Sequence, residues 1–288
     1  MSTTRIFSNF GSKPLSRRAF LRHSVLLSAA CTPLGNSLAQ GRQITRPGLQ
    51  LYTLRNELAQ DFEGTLARVA ALGYKEMEFA GYFDRTPAEI RAILDRNGLT
   101  SPAAHIQLAA VRNDLDAMIE SALTIGQRYI VIPFLQPNER TLGDFERLIE
   151  TLNHAGEAAR SAGLKMAYHN HDFEFTPIDG HIPYELLLEQ TDPELVDFEL
   201  DLYWIRYAGV DQTRYFDKYP GRFSMLHVKD MSANRDMADV GRGLIDFAEI
   251  FSHQDRAGFQ HFFVEHDRPG DGLASVAVSV QTLRQLIY

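Results

Sequence analysis

Short apolar stretches alternate with amphipathic stretches along most of the chain, and this alternation predicts the fold. Eight stretches rich in β-branched and aromatic residues are predicted as strands: 49–53, 74–79, 100–105, 129–133, 165–169, 196–201, 223–228 and 262–265. Between them, apolar residues recur with helical spacing, as in the sets Phe62/Leu66/Val69, Leu115/Ile119/Ala122, Leu142/Phe145/Ile149 and Val276/Val280/Leu283/Ile287. Several predicted helices end in a glycine, at Gly73, Gly98, Gly163 and Gly258.

This succession of eight strand–helix units predicts an α/β fold. Residues 40–288 number 249, close to the roughly 250 residues of a (β/α)8 barrel. Because no linker or low-complexity tract interrupts them, we expect a single-domain (β/α)8 TIM barrel over 40–288. An open doubly wound sheet is the alternative. No Gly-x-Gly-x-x-Gly follows the first predicted strand, which excludes the usual dinucleotide-binding form of that sheet.

The first 39 residues have the pattern of an export signal. Arg17 and Arg18 lie in a Ser-Arg-Arg-Ala-Phe-Leu sequence, an apolar run covers 25–30, and Ala39 ends a Ser-Leu-Ala sequence suited to cleavage. We therefore predict a twin-arginine signal peptide over 1–39 and a periplasmic mature protein without stable membrane association. The apolar run is too short to span a bilayer, which takes roughly 20 residues. Cys31 leaves lipidation open.

The distribution of charge narrows the class of partner. Segment 1–39 carries five basic and no acidic side chains, so the rest of the chain holds 24 basic and 37 acidic ones, a net charge of −13. An acidic body repels a phosphate backbone, which argues against nucleic acid as a partner. We expect a small-molecule carbohydrate ligand. The oligomeric state stays open, with a homodimer among the alternatives.

Ionisable side chains concentrate at the C-terminal ends of six of the eight predicted strands, where a barrel places its functional groups. These ends carry Glu78, His105, His169 with His171, Asp201, His227 with Lys229, and Glu265. Because side chains alternate along a strand, His169 shares a face with His171, and His227 shares one with Lys229. Mixed imidazole and carboxylate groups suit Mn²⁺, Co²⁺ or Zn²⁺ better than Ca²⁺.

Several of these residues also have a purely structural interpretation. His105 can be a hydrogen-bonded core or rim histidine. Glu78 can form a salt bridge with Lys75 or Arg91. Glu199 has the same parity as Asp201 and can be buried structural polarity.

Residues outside the strand ends also have both a structural and a functional interpretation. Arg242, in the sequence Asp-Val-Gly-Arg-Gly, can belong to a plain turn or contact substrate hydroxyls, and Trp204 can line a pocket. Tyr52, Tyr82 and Phe173 are expected to pack the barrel rather than stack on a sugar. The remaining histidines lack ligand spacing and are predicted to be solvated: His154, His181, His253 and His261.

Five motifs, in this order, resemble the xylose isomerase-like TIM barrels known as sugar phosphate isomerases/epimerases, and most of all their exported, twin-arginine branch. They are Gly-Leu-Gln-Leu-Tyr-Thr at 48–53, Tyr-His-Asn-His-Asp-Phe-Glu-Phe at 168–175, Glu-Leu-Asp-Leu-Tyr-Trp at 199–204, Leu-His-Val-Lys-Asp at 226–230 and Val-Glu-His-Asp at 264–267. The resemblance covers essentially the whole predicted mature chain. It implies the barrel fold and sugar chemistry but no particular substrate.

The resemblance also implies a metal site. Epimerase-like members hold a divalent ion by Glu of the fifth strand, Asp of the sixth, His of the seventh and Glu of the eighth. These positions fall on His169, Asp201, His227 and Glu265. Mn²⁺ is the expected ion, with Co²⁺, Zn²⁺ and Mg²⁺ as alternatives. His169 stands where the family has glutamate, so a proton relay between two carboxylates lacks one member, and Trp204 stands where a histidine often follows the strand-six Asp.

The implied activity is a divalent-metal-dependent isomerisation or epimerisation of a free sugar, keto-sugar or glycoside through an enediolate. The candidate proton-transfer residues are Glu265, His171, Lys229 and Glu174, and a metal cation beside Lys229 is expected to lower its pKa. The candidate substrate contacts are Glu78, His105, Trp204 and Arg242. Expulsion of a β-leaving group gives the alternative, a lyase or dehydratase acting on a keto-sugar or inosose-like substrate. A non-catalytic sugar-binding barrel is the third possibility.

Overall fold

Eight parallel strands form a closed barrel in the computed structural model, which describes residues 41–288. The predicted signal peptide, with Cys31, lies outside the described residues. The barrel strands are β1 (Gly48–Gln50), β2 (Glu76–Ala80), β3 (Thr100–His105), β4 (Tyr129–Ile132), β5 (Lys165–His169), β6 (Val196–Asp201), β7 (Met225–Val228) and β10 (His261–Val264). They follow one another in chain order around the barrel, and β10 pairs with β1 to close it. The predicted TIM barrel is confirmed.

The predicted strand bounds hold closely except in β1. Its expected last residues form a 3-10 helix, Leu51–Leu54, because the Gln50 side chain accepts a hydrogen bond from the Tyr52 N–H at 3.0 Å and caps that turn. An additional antiparallel hairpin, which the apolar pattern does not predict, pairs β8 (Asp230–Met231) with β9 (Met237–Ala238) after the seventh barrel strand.

Helices surround the barrel between its strands. They are α1 (Arg55–Gln60), α2 (Phe62–Leu72), α3 (Pro87–Asn97), α4 (Leu108–Asn113), α5 (Leu115–Ile125), α6 (Leu142–Ser161), α7 (Pro183–Gln190), α8 (Leu202–Tyr207), α9 (Thr213–Lys218), α10 (Phe247–Ser252), α11 (Gln254–Ala257) and α12 (Gly272–Gln285). Thr86 and Glu89 form a capping box at the start of α3, and Gly98 ends that helix in the left-handed region at φ 63°. No helix within 41–288 is long and apolar enough to cross a membrane.

The predicted apolar stripe of the last helix is correct for three of its four members. Val276, Val280 and Leu283 are buried, but Ile287 is 61% exposed and lies beyond the helix, which ends at Gln285. The chain leaves the helix there because the backbone of Tyr288 exchanges hydrogen bonds with that of Arg42, at 2.8 and 3.1 Å.

The buried apolar side chains form two separate cores, one on each face of the barrel wall. The larger lies between the strands and the helices. The smaller fills the barrel interior and consists of Ala103, Tyr129, Val131, Ala167, Met225 and Phe263. This interior plug separates two polar layers, one at each end of the barrel.

The layer at the N-terminal end is a closed ion-pair cluster. Glu76 accepts from Arg46 Nε at 2.9 Å and lies 2.7 Å from Nδ1 of His261. His261 is therefore paired inside the barrel, and its prediction as a solvated histidine is wrong, because it begins strand β10 and points to the interior. Arg46 also donates to the Thr100 hydroxyl at 2.9 Å.

Candidate active site

The second polar layer lies at the C-terminal end of the barrel and is centred on His227. Its Nε2 lies 2.7 Å from Oε2 of Glu78 and 3.2 Å from Oε2 of Glu199. Its Nδ1 lies 2.8 Å from Oε2 of Glu265 and 3.8 Å from Oδ2 of Asp201. Strands β2, β6, β7 and β10 supply these groups at matching heights, and all five side chains are buried. The alternation of side chains along each strand brings them together.

Lys229 follows on the same face of the chain and contacts three carboxylates. Its Nζ lies 2.9 Å from Asp201 Oδ2, 2.8 Å from Glu265 Oε2 and 2.7 Å from Asp267 Oδ1. Burial alone lowers the pKa of this ammonium, but Asp201, Glu265 and Asp267 together raise it well above the ordinary value. Without an ion, these three anions hold the proton on nitrogen, and the lowering of the Lys229 pKa by a bound metal cation stays a prediction.

The fifth strand brings two imidazoles to the same opening. His169 is buried, with Nδ1 3.4 Å from Glu199 Oε2 and Nε2 3.9 Å from Asp201 Oδ2. His171 lies at the cavity surface, with its ring 5.1 Å from the His169 ring. Burial and the proximity of His227 lower the pKa of His169 to about 3. Burial also lowers the pKa of His171 well below its ordinary value, so both rings are neutral near pH 7.

The carboxylates divide into two kinds. Burial raises the pKa of Asp201 to about 6, although Lys229 and His227 oppose the shift. Burial and the neighbouring Glu199 raise the pKa of Glu78 to about 7. In Glu265 the opposite holds: burial acts upward, but Lys229 and His227 bring the pKa well below its usual range. Glu265 therefore stays ionised and is already paired with Lys229 and His227.

This donor set fits a divalent metal ion. One ligand atom each from Asp201, His227 and Glu265 lies within 4.8 Å of the others, and the same is true of a second set, His105, His169, Glu199 and His227. Two buried carboxylate oxygens here, Glu78 Oε1 and Glu199 Oε1, have neither a hydrogen-bond nor an ion-pair partner among the described residues. Free carboxylate oxygens beside neighbouring imidazoles are what a borderline ion requires.

The cluster opens into a cavity of about 940 Å³. His105, His169, His171, Lys229, Glu265 and Asp267 line its polar side. Two aromatic rings flank His171: the ring centroid of Phe134 lies 5.0 Å and that of Trp204 5.3 Å from the imidazole centroid. A barrel with titratable groups at the C-terminal ends of its strands, opening into one large cavity, has the architecture of a TIM-barrel enzyme.

The family model described as xylose isomerase-like TIM barrel matches residues 66–286. The chain belongs to this family. An inosose dehydratase of Geobacillus kaustophilus is 25% identical over 228 residues, which are 65% of this chain and 73% of that protein. A second inosose dehydratase, from Geobacillus thermodenitrificans, is 22% identical over 265 residues, 78% of this chain and 88% of its own.

Solved structures of this xylose isomerase-like family superimpose closely. A sugar phosphate isomerase/epimerase from Parabacteroides distasonis gives a TM-score of 0.71 at 27% identity and covers 85% of this chain and 96% of its own. The IolI protein, solved with a zinc atom, gives a TM-score of 0.66 at 15% identity over 82% of this chain and 96% of its own. The resemblance read from the five motifs is thereby confirmed at the level of the family.

Four of the candidate catalytic and substrate-contact residues do not line the cavity: Glu78, Glu174, Trp204 and Arg242. Trp204 lies beside His171, with ring centroids 5.3 Å apart, and is not itself part of the cavity lining. Glu174 is buried, and its carboxylate accepts from the Tyr168 hydroxyl at 2.7 Å and from the His171 N–H at 2.9 Å. It orients the segment that carries His171 rather than facing a ligand. Arg242 is exposed and does not line the cavity, because it lies on a loop that the buried Asp230 carboxylate holds through the N–H groups of Gly241 and Gly243, at 2.9 and 2.8 Å.

The structure also decides between alternatives that the sequence left open. Glu78 bonds to Gln50 and His227 rather than to Lys75 or Arg91, so the surface salt bridge is wrong. His105 lines the cavity with Nε2 2.8 Å from Glu199 Oε2. Tyr82 packs against the core as expected and also lines the cavity, whereas Tyr52 is 42% exposed and lines the cavity. Phe173 does pack, with the Arg140 guanidinium 3.5 Å from its ring centroid.

Three contributors to the site went unassigned from sequence. Asp267 holds Lys229, Gln50 donates to Glu78 Oε2 at 2.8 Å, and Phe134 forms the wall beside His171. Gln50 is the last residue of β1 and Asp267 lies three residues beyond β10, and both belong to the motifs at 48–53 and 264–267, which is the signal that could have found them. Phe134 has no such signal, since its contact depends on the loop after β4.

Proposed function

We propose that this protein is a divalent-metal-dependent lyase that eliminates a β-leaving group from a keto-sugar or inosose-like substrate. The observation that carries the proposal is that the β5 side of the site presents two imidazoles, His169 and His171, and no carboxylate. An epimerase that passes a proton between the two faces of a substrate carbon would need a second carboxylate on that side. Glu265 faces Lys229 and His227 instead of a partner carboxylate. One face can lose a proton here, and no carboxylate on the other returns it.

His171 is the proton acceptor in this proposal. Its ring is neutral, lines the cavity, and has an Nδ1 without a hydrogen-bond partner among the described residues. A neutral imidazole at hydrogen-bond distance from a carbon acid is a competent general base. The proton it takes lies α to the substrate carbonyl, and Glu174 holds the segment by bonding the His171 N–H.

Lys229 is the proton donor. Its ammonium lies in the cavity wall and stays protonated because three carboxylates surround it. When the bond between the β-carbon and oxygen breaks, the electron pair goes to that oxygen, and Lys229 Nζ supplies the proton that completes an alcohol or water. His105 lies at the same surface and is positioned to hold a substrate hydroxyl.

His169, Asp201, His227 and Glu265 would hold the divalent ion, for which we propose Mn²⁺. When bound, the ion supplies Lewis acidity that stabilises negative charge developing on the carbonyl oxygen. The names of the relatives agree with elimination, since the two matched over the greater part of this chain are inosose dehydratases. Isomerisation or epimerisation is the second candidate, because the structure at 27% identity carries that name.

Proton NMR in D₂O distinguishes the two reactions. Purified Mn²⁺-loaded protein is incubated with a panel of inososes, ketoses and 3-keto-glycosides. Elimination predicts an unsaturated product with loss of water or of the aglycone. Deuterium incorporation into an otherwise intact carbon skeleton would overturn the lyase assignment in favour of an isomerase or epimerase, and binding without either change would indicate a sugar-binding barrel.

We also propose that the protein acts in the periplasm after removal of 1–39 through the twin-arginine route. The support is the Arg17–Arg18 pair with its apolar run and the Ala39 exit. Replacing both arginines by lysine should retain the precursor in the cytoplasm, as measured by fractionation and immunoblotting. Unchanged periplasmic yield would refute the assignment, and a Lys13→Arg variant serves as a control.

A further inference from the structure

The charged side chains that line the cavity differ in whether they already have a partner. Lys229 is held by Glu265 and Asp267, at 2.8 and 2.7 Å. Arg55 and Arg268 line the same cavity, and neither guanidinium forms a salt bridge with a carboxylate of residues 41–288. Three basic and two acidic side chains therefore line the cavity, although residues 40–288 as a whole carry a net charge of −13.

The two arginines lie on segments that pack against each other. One arginine follows β1 and the other follows β10, and these are the strands that pair to close the barrel. The His266 N–H donates to the Thr53 hydroxyl at 3.1 Å, two residues before each arginine. Further along, Gly272 approaches the start of α1 so closely that a Cβ atom there would lie 2.7 Å from Leu54 Cδ2. Both guanidinium groups therefore belong to one side of the cavity.

Arg55 is held in place with part of its guanidinium unused. Its Nη1 donates to the Tyr52 carbonyl at 2.8 Å, and its Cζ lies 4.1 Å from the centroid of the Tyr52 ring. Its Nε and Nη2 have no hydrogen-bond partner within residues 41–288. The Arg268 N–H donates to His266 Nδ1 at 3.2 Å, which fixes the backbone, and the Arg268 residue is exposed. A planar guanidinium with free N–H groups matches the oxygens of a carboxylate or a phosphate.

We propose that Arg55 and Arg268 form an anion subsite, so that the substrate is a keto-sugar that carries a carboxylate or a phosphate group. This inference rests on the proposed elimination, whose substrate class it narrows. His171 follows β5, which is four strands away from β1 in either direction around the barrel. A substrate held by its acidic group on the β1–β10 side therefore presents its other end to the base.

Lys229 lies on the side of the anion subsite. Its Nζ is 2.7 Å from Oδ1 of Asp267, the residue that precedes Arg268. In this orientation the oxygen that Lys229 protonates leaves on the side of the acidic group, and the proton that His171 removes lies on the far side. The subsite thus fixes which end of the keto-sugar meets the donor and which end meets the acceptor.

The charges favour an acidic substrate over a neutral one. The hydroxyls of a neutral sugar can accept from a guanidinium, but hydrogen bonds between ionised groups are roughly twice as strong as those between neutral groups. The attraction between ionised groups at an exposed arginine also weakens with salt, because the Debye length falls from about 10 Å at 0.1 M to about 3 Å at 1 M. The affinity of an acidic sugar should therefore fall as salt is added, and that of a neutral sugar should not.

Calorimetric titration of the Mn²⁺-loaded protein tests the subsite without requiring turnover. Three probes with the same ring are compared: D-glucose, D-glucuronate and D-glucose 6-phosphate. We expect at least one acid to bind about tenfold or more tightly than glucose, and which acid does so distinguishes a carboxylate from a phosphate substrate. The double variant Arg55→Gln/Arg268→Gln should reduce this advantage to about twofold or less. Arg85→Gln removes an exposed arginine outside the cavity and should keep the advantage.

Two results would overturn the subsite. One is that neither acid binds more tightly than glucose to wild type. The other is an advantage that survives in a double variant of unchanged melting temperature and Mn²⁺ content, because the acidic group would then bind the ion or Lys229 instead. If the double variant does not fold, the single variants Arg55→Gln and Arg268→Gln decide, and each should lose part of the advantage.

The elimination is judged separately, by its product. A neutral keto-sugar that loses its β-group, together with acids that bind no better than glucose, refutes the anion subsite and leaves the elimination in place. Acids that bind through the two arginines, while no keto-substrate loses its β-group, refute the elimination and leave the anion subsite standing.

Discussion

Each end of the barrel carries a Glu–His pair, but the surroundings of the two pairs differ. At the N-terminal end, Glu76 and His261 lie 2.7 Å apart, and at the C-terminal end, Glu78 and His227 do the same. Arg46 completes the first pair, so that both Glu76 oxygens have partners. At the other end, Glu78 Oε1 and the neighbouring Glu199 Oε1 have no hydrogen-bond or ion-pair partner among the described residues.

The difference teaches that a buried ion pair marks a reactive site only where its polar atoms remain unsatisfied. Leaving such atoms buried without partners destabilises a fold, so a chain keeps them where a ligand will complete the set. The N-terminal cluster needs nothing more and serves stability. The C-terminal cluster leaves one oxygen each of Glu78 and Glu199 without a partner among the described residues, and unsatisfied carboxylate oxygens beside a histidine favour the binding of a cation.

The sharpest test exchanges histidine for alanine at each end. His227→Ala should weaken divalent-metal binding by more than about 100-fold, because even residues that only support a metal ligand are typically worth 10- to 100-fold. His261→Ala should leave metal affinity unchanged and lower the free energy of unfolding by about 1–3 kcal/mol, since Glu76 loses a partner. Metal analysis after dialysis, with urea unfolding, measures both. Full metal occupancy in His227→Ala would sink the proposed site.

A second pair of variants compares Lys229 with Lys165, a lysine at the opposite end of the barrel. Lys229→Met should reduce turnover by about 100-fold or more if Lys229 donates a proton, with metal still bound because a competing cation has been removed from Asp201 and Glu265. Lys165→Met removes the ion pair with Asp197, at 2.8 Å, and should change only stability. Steady-state kinetics on the metal-loaded proteins decides, and near-normal turnover in a stable Lys229→Met protein excludes the catalytic role.

The pH dependence of stability should have opposite signs for two glutamates. Burial acts to raise the pKa of Glu76, but His261 and Arg46 outweigh it and lower the pKa, so its stabilisation is present above about pH 4.5 and is lost as the pH falls through the lower folded value. Burial raises the pKa of Glu174 to about 8, so its favourable contribution is complete below about pH 4.5 and is lost as the pH rises towards 8.

Urea unfolding between pH 3 and 9 checks both signs. Glu76→Gln should flatten the acid limb of the stability curve. Glu174→Gln should flatten the stretch between pH 4.5 and 8, where one proton accounts for a slope of up to about 1.4 kcal/mol per pH unit. Parallel curves for Glu174→Gln and wild type would show that this carboxyl is not kept neutral by burial.

The smallest effect is expected at Arg242. Its side chain is exposed and outside the cavity, so Arg242→Ala should change KM by less than about twofold and stability by less than about 0.5 kcal/mol. A tenfold rise in KM for the same substrate would mean that the 239–245 loop closes over the cavity during turnover. Arg235→Ala, in the neighbouring hairpin, provides the matched surface control.

Much of the fold follows from local sequence patterns. The predicted strand ranges 100–105, 165–169 and 196–201 agree with β3, β5 and β6, short segments that lie between stretches of helical periodicity. The glycines at 73 and 98 adopt positive φ, as their positions after helices predict. Period-two alternation also placed His227 and Lys229 on one face correctly.

The remainder depends on register between distant strands, which alternation within one strand does not encode. Glu76 and Glu78 have the same parity, yet Glu76 pairs with His261 and Glu78 with His227, because the two residues lie at different heights along β2. The carboxylates around Lys229 come from β6 and from the segment after β10, so its three partners could not be assigned from its own strand. Phe134 depends on a loop conformation that no periodicity describes.

Completion of the proposed metal site depends on the strand that closes the barrel. The residues proposed to hold the ion lie on β5, β6 and β7 and directly after β10, and β10 pairs with both β7 and β1. A chain that lacks β10 has an incomplete ligand set and an open sheet edge together. Binding through all four residues therefore requires β10 to be in place, so the ion should stabilise the closed barrel over any form that lacks this strand.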